Sequence, residues 1–384
     1  MTSASQQKTP SAPQQASTLA DKVAFLGSPQ AYAPPPRAVT CKETHMSWVF
    51  VAGDRVYKLK KPMRFPYLDY STLAKREANC RAELTLNRRL APDVYETVVP
   101  LMQSPRGLSL SEAGEVADWL VVMRRLDERL TLEHAIAAGT LAPSQLDRIV
   151  TALVKFYHRA RAVFITRETL LRHWRASLAY NKRVLLDPRL RLPAGLVRRV
   201  DRAQRRFLAA RGDLIAARAR ERQIVDGHGD LRPEHIFVDD AVTVIDCLEF
   251  NASLRAVDPF DEIAYLCVEC DRLGAHWASR YIRRRAIHAL RDHLSDELFT
   301  FYRCQRATLR ARLSIAHLLE ANPRTPEKWP RLARIYLRIA AADAVRLERM
   351  CMIPKKPVPG LTRDGNRLSE KIMHKQNIKI RAGR

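Results

Sequence analysis

The chain has 384 residues, 46% of them hydrophobic and 7% aromatic, enough for one large two-lobed domain or two ordinary ones with cores that fold unaided. No window approaches the roughly 18 consecutive apolar residues of a membrane helix, the N-terminus lacks a basic-then-apolar signal pattern, and seven cysteines at irregular spacings make no disulfide framework; a cytoplasmic protein with no membrane partner is expected. A formal net charge of +25 favours anionic partners such as nucleotides or phosphorylated compounds, but charge informs encounter rather than fold, and a solvated basic surface accounts for it better than dedicated nucleic-acid binding.

Residues 1–20, rich in Ser, Gln, Thr, Ala and Pro, read as a disordered tail. Between 38 and 61 the pattern is one of short strands, MSWVFVA, a GDR turn and VYKLKK, which make a β-hairpin. The stretch 71–90 changes to a helical period. Strand-like pieces recur at 95–102 and 119–123, the second apolar enough to lie within a sheet, so a β-rich part covers 21–125. From 143 onward the chain is helical. Ser144 and Asp147 have the spacing of a capping box ahead of IVTALVKFYHRARAVF, and arginine-studded helices follow at 168–186 and 196–222. Further helices are expected at 258–273, 276–294, 295–320 and 328–350, with a loop at 322–329 marked by Pro323 and Pro326. Cys267 and Cys270 form a lone CxxC on the inner face of the first of these. They lack the second pair that a tetrahedral zinc site needs and read as buried small hydrophobes. The helical part spans 126–352, and 353–384 reads as a basic tail.

Inside the helical half lies HGDLRPEHIFVDDAVTVIDCLEFN, residues 228–251. A strand at 236–238, a turn at 239–241 and a return strand at 242–245 give a short hairpin. Folding it brings Asp230 and Asp246 to the same end. Two carboxylates so placed suit metal-assisted phosphoryl transfer, one accepting the proton of an attacking hydroxyl and the other holding Mg2+. The alternative is an ordinary turn at HGD and a strand-end cap at Asp246.

Taken in order, the segments ETHMSWVF, VYKLKKP, LNRRLAP, HGDL and IDCLEFN resemble an uncharacterised branch of the bacterial aminoglycoside phosphotransferase-like family, over roughly residues 20–350. The resemblance implies an α+β, protein-kinase-like bilobal fold, with a small β-rich N-lobe, a larger helical C-lobe and ATP between them. Mg2+ or Mn2+ is the implied cation and a small-molecule hydroxyl the implied acceptor. By the same resemblance Lys58 meets the nucleotide phosphates, with Lys60 on the same strand face as runner-up. Glu83 pairs with the strand lysine, Glu77 being the alternative. Met123 to Leu126 is the hinge that reads the adenine edge. Asp230 is the catalytic base and His228 orients its loop. Asp246 holds the metal, and Glu249 either approaches a second cation or is a solvated loop acid. Asp258 and Asp261 take a supporting place, Asp261 against backbone N–H groups of the catalytic loop, unless both are simple N-cap acids.

Two departures stand out. Five residues after Asp230 the family places a metal-ligating asparagine, where this chain has His235, whose nitrogen suits Mn2+ or Zn2+ better than Mg2+. The stretch CKETHMSW has no glycine, so Thr44, His45 and Ser47 either contact phosphate through side chains or are only polar turn residues. A nucleotide-binding protein without catalysis, and a basic nucleic-acid-binding protein, are the competing readings. The acceptor, the nucleotide preference and the oligomeric state are not legible.

Overall fold

A computed structural model of the chain describes residues 17–320, 323 and 325–352; residues 1–16 of the tail expected over 1–20, and the whole tail expected over 353–384, lie outside the described residues. Helix α1 (Leu19–Leu26) comes first, its N-cap Thr18 in a reciprocal capping box with Asp21. Leu19 and Ala20, expected to fall in the tail over 1–20, are therefore helical. The helix is anchored by Leu26, which packs with Phe50, Leu59, Leu101 and Leu120, and by Lys22, which pairs with buried Asp118 at 2.8 Å.

Strands β1 (Val39–Glu43), β2 (Ser47–Ala52) and β3 (Arg55–Lys60) follow, then a two-residue-strand hairpin of β4 (Arg64–Phe65) and β5 (Leu68–Asp69). Helix α2 (Leu73–Asn87) precedes β6 (Tyr95–Ser104), β7 (Gly107–Ser109) and β8 (Glu115–Arg124). The sheet order is β1-β2-β3-β8-β6-β7, antiparallel throughout. Alternation along the strands gives the sheet two apolar faces. Leu59 and Leu120 face α1, while Val121 and Tyr95 pack on the other side with Cys80 of α2. Strands 95–102 and 119–123 are thus longer than the sequence suggested, because a β-bulge between Leu101 and Met102 keeps them paired.

The helical part contains α3 (Leu132–Ala137), α4 (Pro143–Arg159), α5 (Arg167–Leu185) and α6 (Ala194–Arg220). The capping box expected at Ser144 and Asp147 is not used. Pro143 is the first helical residue, and Gln145 reaches back to the N–H of Ala142 at 2.8 Å. Asp147 instead accepts hydrogen bonds from Tyr281 and Arg285. After β9 (Val225–Asp226) come the hairpin β10 (Ile236–Val238) and β11 (Val242–Val244), the short α7 (Ala252–Arg255), and β12 (Ala256–Val257), which pairs with β9. Helices α8 (Pro259–Arg272), α9 (His276–Leu290), α10 (Asp296–Ala316) and α11 (Lys328–Met352) complete the chain. The expected loop at 322–329 thus ends two residues early, with Lys328 and Trp329 already in α11. The main core lies among these helices, with α8 buried almost throughout and Cys267 and Cys270 fully inside it. The architecture is the protein-kinase-like α+β fold, a curled antiparallel sheet joined to a larger helical part.

Candidate active site

Strand β3 supplies the cations. Lys58 lies in register between Val49 and Val121, so Lys58 and Lys60 share the face turned to α2. Glu83 of α2 is fully buried and meets both: Lys58 Nζ lies 2.8 Å from Oε1 and Lys60 Nζ 2.6 Å from Oε2. The alternative residue Glu77 is turned away and pairs with Arg81 one turn on. Lys58 also reaches across to Asp246, Nζ to Oδ1 2.9 Å, whereas Lys60 is sealed in with Glu249 and Tyr70. Burial works against the Lys58 ammonium, but Asp246, Glu83 and Glu249 together hold its pKa well above the usual lysine value. Burial likewise works to raise Glu83, and the two lysines outweigh it, holding its carboxyl below the ordinary range.

Glu249 is not brought to the acid cluster, because its carboxylate accepts from Lys60 and Tyr70.

The loop between β9 and β10 is held from beneath by Glu262. Its carboxylate accepts the backbone N–H of His228 at 3.1 Å, that of Gly229, and the Tyr157 hydroxyl at 3.0 Å. Gly227 is needed here: a Cβ would sit 2.8 Å from Glu262 Oε2 and 2.5 Å from Val257. Gly229 has φ +88, which glycine alone adopts freely. The role expected of Asp261 thus falls to its neighbour. Asp261 forms a buried two-pronged pair with Arg306, 2.7 and 2.6 Å. The residues differ by one helical step of 100°, so only one can face the loop. Asp258 does cap α8, accepting from Phe260 N–H at 2.9 Å, and also binds Arg218 and Tyr302.

His228 is buried with both ring nitrogens engaged. Nδ1 accepts the Asp230 N–H at 3.2 Å, which leaves the proton on Nε2 to donate to the Ile245 carbonyl at 3.0 Å. Burial, then His235, push its pKa down to about 4. It is a neutral brace, tying the loop to the hairpin's return strand, with no lone pair or proton left to exchange.

The hairpin closes as its sequence suggests and sets the acids together. Asp230, His235 and Asp246 each offer a ligand atom, all within 4.8 Å of one another. Asp230 accepts from the Tyr265 hydroxyl at 2.9 Å and from Arg232 Nε at 3.0 Å. Burial would raise its pKa, but Arg232, His235 and Arg310 hold the carboxyl below its usual value. Asp246 takes a left-handed backbone, φ +64, and its N–H donates to the Tyr95 hydroxyl at 3.2 Å. Burial opposes its charge too, and Lys58 and His235 drive its pKa far below the carboxylate norm. His235 Nδ1–H donates to the Asp230 carbonyl at 3.0 Å, and its Nε2 lies 2.9 Å from the Arg232 guanidinium and 3.5 Å from Asp246 Oδ2.

The donor chemistry divides accordingly. The carboxylates of Asp230 and Asp246 fit a hard divalent cation. His235 as placed does not, since Arg232 occupies the nitrogen that would bind it.

At the hinge, Met123 is in register with Val56 and Tyr95 inside the sheet, and the N–H groups of Arg124 and Arg125 are taken by Val94 and Asp54. Leu126 is the first residue past this pairing, and its side chain packs against the buried cluster of Cys80, Ala91, Val94, Tyr95 and Val121. In the turn at 44–47, Thr44 N–H and hydroxyl both donate to the Ser47 carbonyl, 2.8 Å each, and Ser47 N–H returns to the Thr44 hydroxyl at 3.0 Å. Thr44 and Ser47 are therefore turn residues. Sequence reasoning missed Glu262, Tyr265, Arg232, Tyr70 and Tyr95. Arg232 lies within the 228–251 stretch and Glu262 directly follows Asp261, but nothing local in PYLDY or YETVVP marks Tyr70 or Tyr95.

A sheet lysine paired with a helix glutamate and facing two acids of a hairpin loop is an arrangement in keeping with the protein-kinase-like fold. The chain belongs to the phosphotransferase enzyme family known as APH, whose sequence profile matches residues 55–299. It is 32% identical over 317 residues to the uncharacterized proteins Rv2004c of Mycobacterium tuberculosis and Mb2027c of Mycobacterium bovis. These matches take in 80% of this chain but 58% of each relative, so the chain spans little more than half their length. Among solved structures, a thermostable mutant of aminoglycoside phosphotransferase APH(4)-Ia in its apo form is similar, with a TM-score of 0.50 and 12% identity. The match covers 86% of this chain and 100% of that one.

Proposed function

We propose that the chain is an ATP-dependent phosphotransferase that acts on a hydroxyl group of a small molecule, with Asp230 as base and Asp246 as the metal-holding acid. The observation that carries this reading is the meeting of three groups from separate parts of the fold: the Lys58 ammonium, 2.9 Å from Asp246, and the Asp230 carboxylate beside it. Membership of a phosphotransferase family supports the reaction class. Lys58, steadied by Glu83, would hold nucleotide phosphates as a point charge. Asp246 would hold a Mg2+ or Mn2+ that, when bound, supplies positive charge against the charge developing on those phosphates. Asp230, ionised at neutral pH, would take the acceptor's hydroxyl proton as the new O–P bond forms and the bond to ADP breaks. A weak base suffices, because the loose transition state makes little demand on the nucleophile before transfer is well advanced. Leu126 and the backbone just past it would border the adenine. A cytoplasmic setting, where ATP is plentiful, belongs to the same reading.

One observation favours a second reading. His235 stands in the asparagine's place with Arg232 on its free nitrogen, which fits a protein that binds nucleotide and turns it over weakly or not at all. Measuring ADP release from the purified chain over a panel of sugars, amino alcohols and nucleosides, with Mg2+ and Mn2+ compared, separates the two. Acceptor-stimulated ADP release that drops about 100-fold or more in Asp230→Ala, with ATP affinity retained, is expected of the enzyme. ATP binding with no ADP from any acceptor supports the second reading. Turnover untouched by Asp230→Ala removes the assigned base.

A further inference from the structure

A second cluster of ligand side chains lies away from the acids described above. His45, at the tip of the β1–β2 turn, meets His317 and Glu320 at the far end of α10. The three ligand atoms all fall within 4.8 Å of one another. His45 Nδ1 is 3.3 Å and His317 Nδ1 is 2.6 Å from the same oxygen, Oε1 of Glu320. We propose that His45, His317 and Glu320 form a transition-metal site, of the kind that takes Zn2+, clasping the β1–β2 turn to the helical part. The inference does not depend on the phosphotransferase reading.

The donor set is the first argument. Two imidazoles and one carboxylate are a zinc-type ligand combination, and they rank Zn2+ and its transition-metal neighbours far above Mg2+. Spacing is the second. With ligands at roughly 2.0–2.1 Å, a tetrahedral ion holds its donors about 3.4 Å apart. The His45 to Glu320 separation already has that value, and the His317 to Glu320 pair has only to open by less than an ångström. Preorganisation is the third. His317 begins a 3-10 turn, His317–Leu319, that ends at Glu320, and in such a turn residues three apart eclipse, so both side chains project to the same side. The His45 ring stacks on Phe65 at 5.3 Å and the His317 ring on Trp329 at 4.1 Å, fixing both imidazole planes. Access is the fourth. Each side chain is about one third exposed, 34, 31 and 34%, which leaves an entry path and a fourth position for water.

The full chain, freed of any polyhistidine tag, would be titrated with Zn2+ by calorimetry in excess Mg2+, so that the oxygen-rich pair at Asp230 and Asp246 is masked. Co2+ would be used in parallel for its visible absorption. One equivalent of Zn2+ is expected, with His45→Phe and His317→Phe each weakening it at least 10-fold while keeping the ring packing, and Glu320→Gln acting in the same direction. Thermal melts without metal check that the variants fold, and a Zn2+-induced rise in midpoint should appear in the native chain and vanish in the double histidine variant. Absence of a bound equivalent in the native chain overturns the proposal and leaves a hydrogen-bonded His–Glu–His contact. So does a double variant whose Zn2+ affinity falls by less than 10-fold.

Discussion

Glu262 shows how much one buried carboxylate can organise. It is fully buried, and burial raises its pKa even though two backbone N–H groups stabilise the charge. Its three donors belong to two separate parts of the fold: the His228 and Gly229 amides to the acid loop and the Tyr157 hydroxyl to α4. Glu262→Ala removes the acceptor and leaves these donors dry. Each orphaned buried group costs about 1–3 kcal/mol, with some recovered as water enters. Urea denaturation should therefore show a loss of about 2–4 kcal/mol, and Tyr157→Phe, which removes one donor and leaves the carboxylate served, should lose about 1 kcal/mol. A loss below 1 kcal/mol in Glu262→Ala would mean that the loop is held by something else. The sequence could not separate Glu262 from Asp261, because both are acids in the first turn of one helix. Which of them faces the loop is set by where Asp258 starts the helix and by the space vacated at Gly227, a three-dimensional fact with no local trace.

Strand β3 carries two lysines with different tasks, and their neighbours distinguish them. Lys58 retains some exposure, 17%, and pairs with the half-exposed Asp246, while Lys60 has none. Replacing Lys60 with Met would strand the second oxygen of Glu83 and the carboxylate of Glu249 inside the protein, the situation in which breaking a buried pair costs about 3–5 kcal/mol. Lys58→Met also frees Glu83, but Lys60 still serves it, so stability should fall by less. Chemical denaturation of both variants, with ATP binding measured beside it, should give a large stability loss for Lys60→Met. Lys58→Met should show weakened nucleotide binding and the smaller stability loss. The reverse assignment would follow if Lys60→Met were the stable, nucleotide-blind one. Much of this element was legible: the alternation of VYKLKK put both lysines on one face, and the family resemblance offered Glu83, on the helix after it, as partner ahead of Glu77. The hairpin was legible for the same reason, a strict short pattern around DDA. What escaped was long-range. Tyr70 closes the Lys60 site from a two-strand hairpin too short to show a period, and Tyr95 supports Asp246 from 151 residues away.

The two halves of the molecule meet through charge at Lys58 and Asp246, where the proposed function would seat the nucleotide phosphates. Lys58 and Asp246 bond each other directly, so triphosphate binding at this place, as the proposed function has it, would part them and give each a new partner. Phosphate oxygens can replace Asp246 at Lys58, but only a cation can replace Lys58 at Asp246. ATP alone would set its negative charge against two ionised acids, Asp230 and Asp246, and should bind poorly. ATP with Mg2+ or Mn2+ should bind well. At a ligand concentration 100 times the dissociation constant, binding adds about 2.7 kcal/mol to folding stability, a rise of several degrees in the melting midpoint for a chain of this size. The net charge of +25 would attract ATP to the surface without any site, so the melts belong in at least 0.15 M salt, where exposed charges are screened beyond about 8 Å. The cation-dependent part of the shift should disappear in Asp246→Ala. An equal shift with and without divalent cation in the native chain would show that the phosphates sit elsewhere on the basic surface. A shift that survives intact in Asp246→Ala would show that this carboxylate holds no metal.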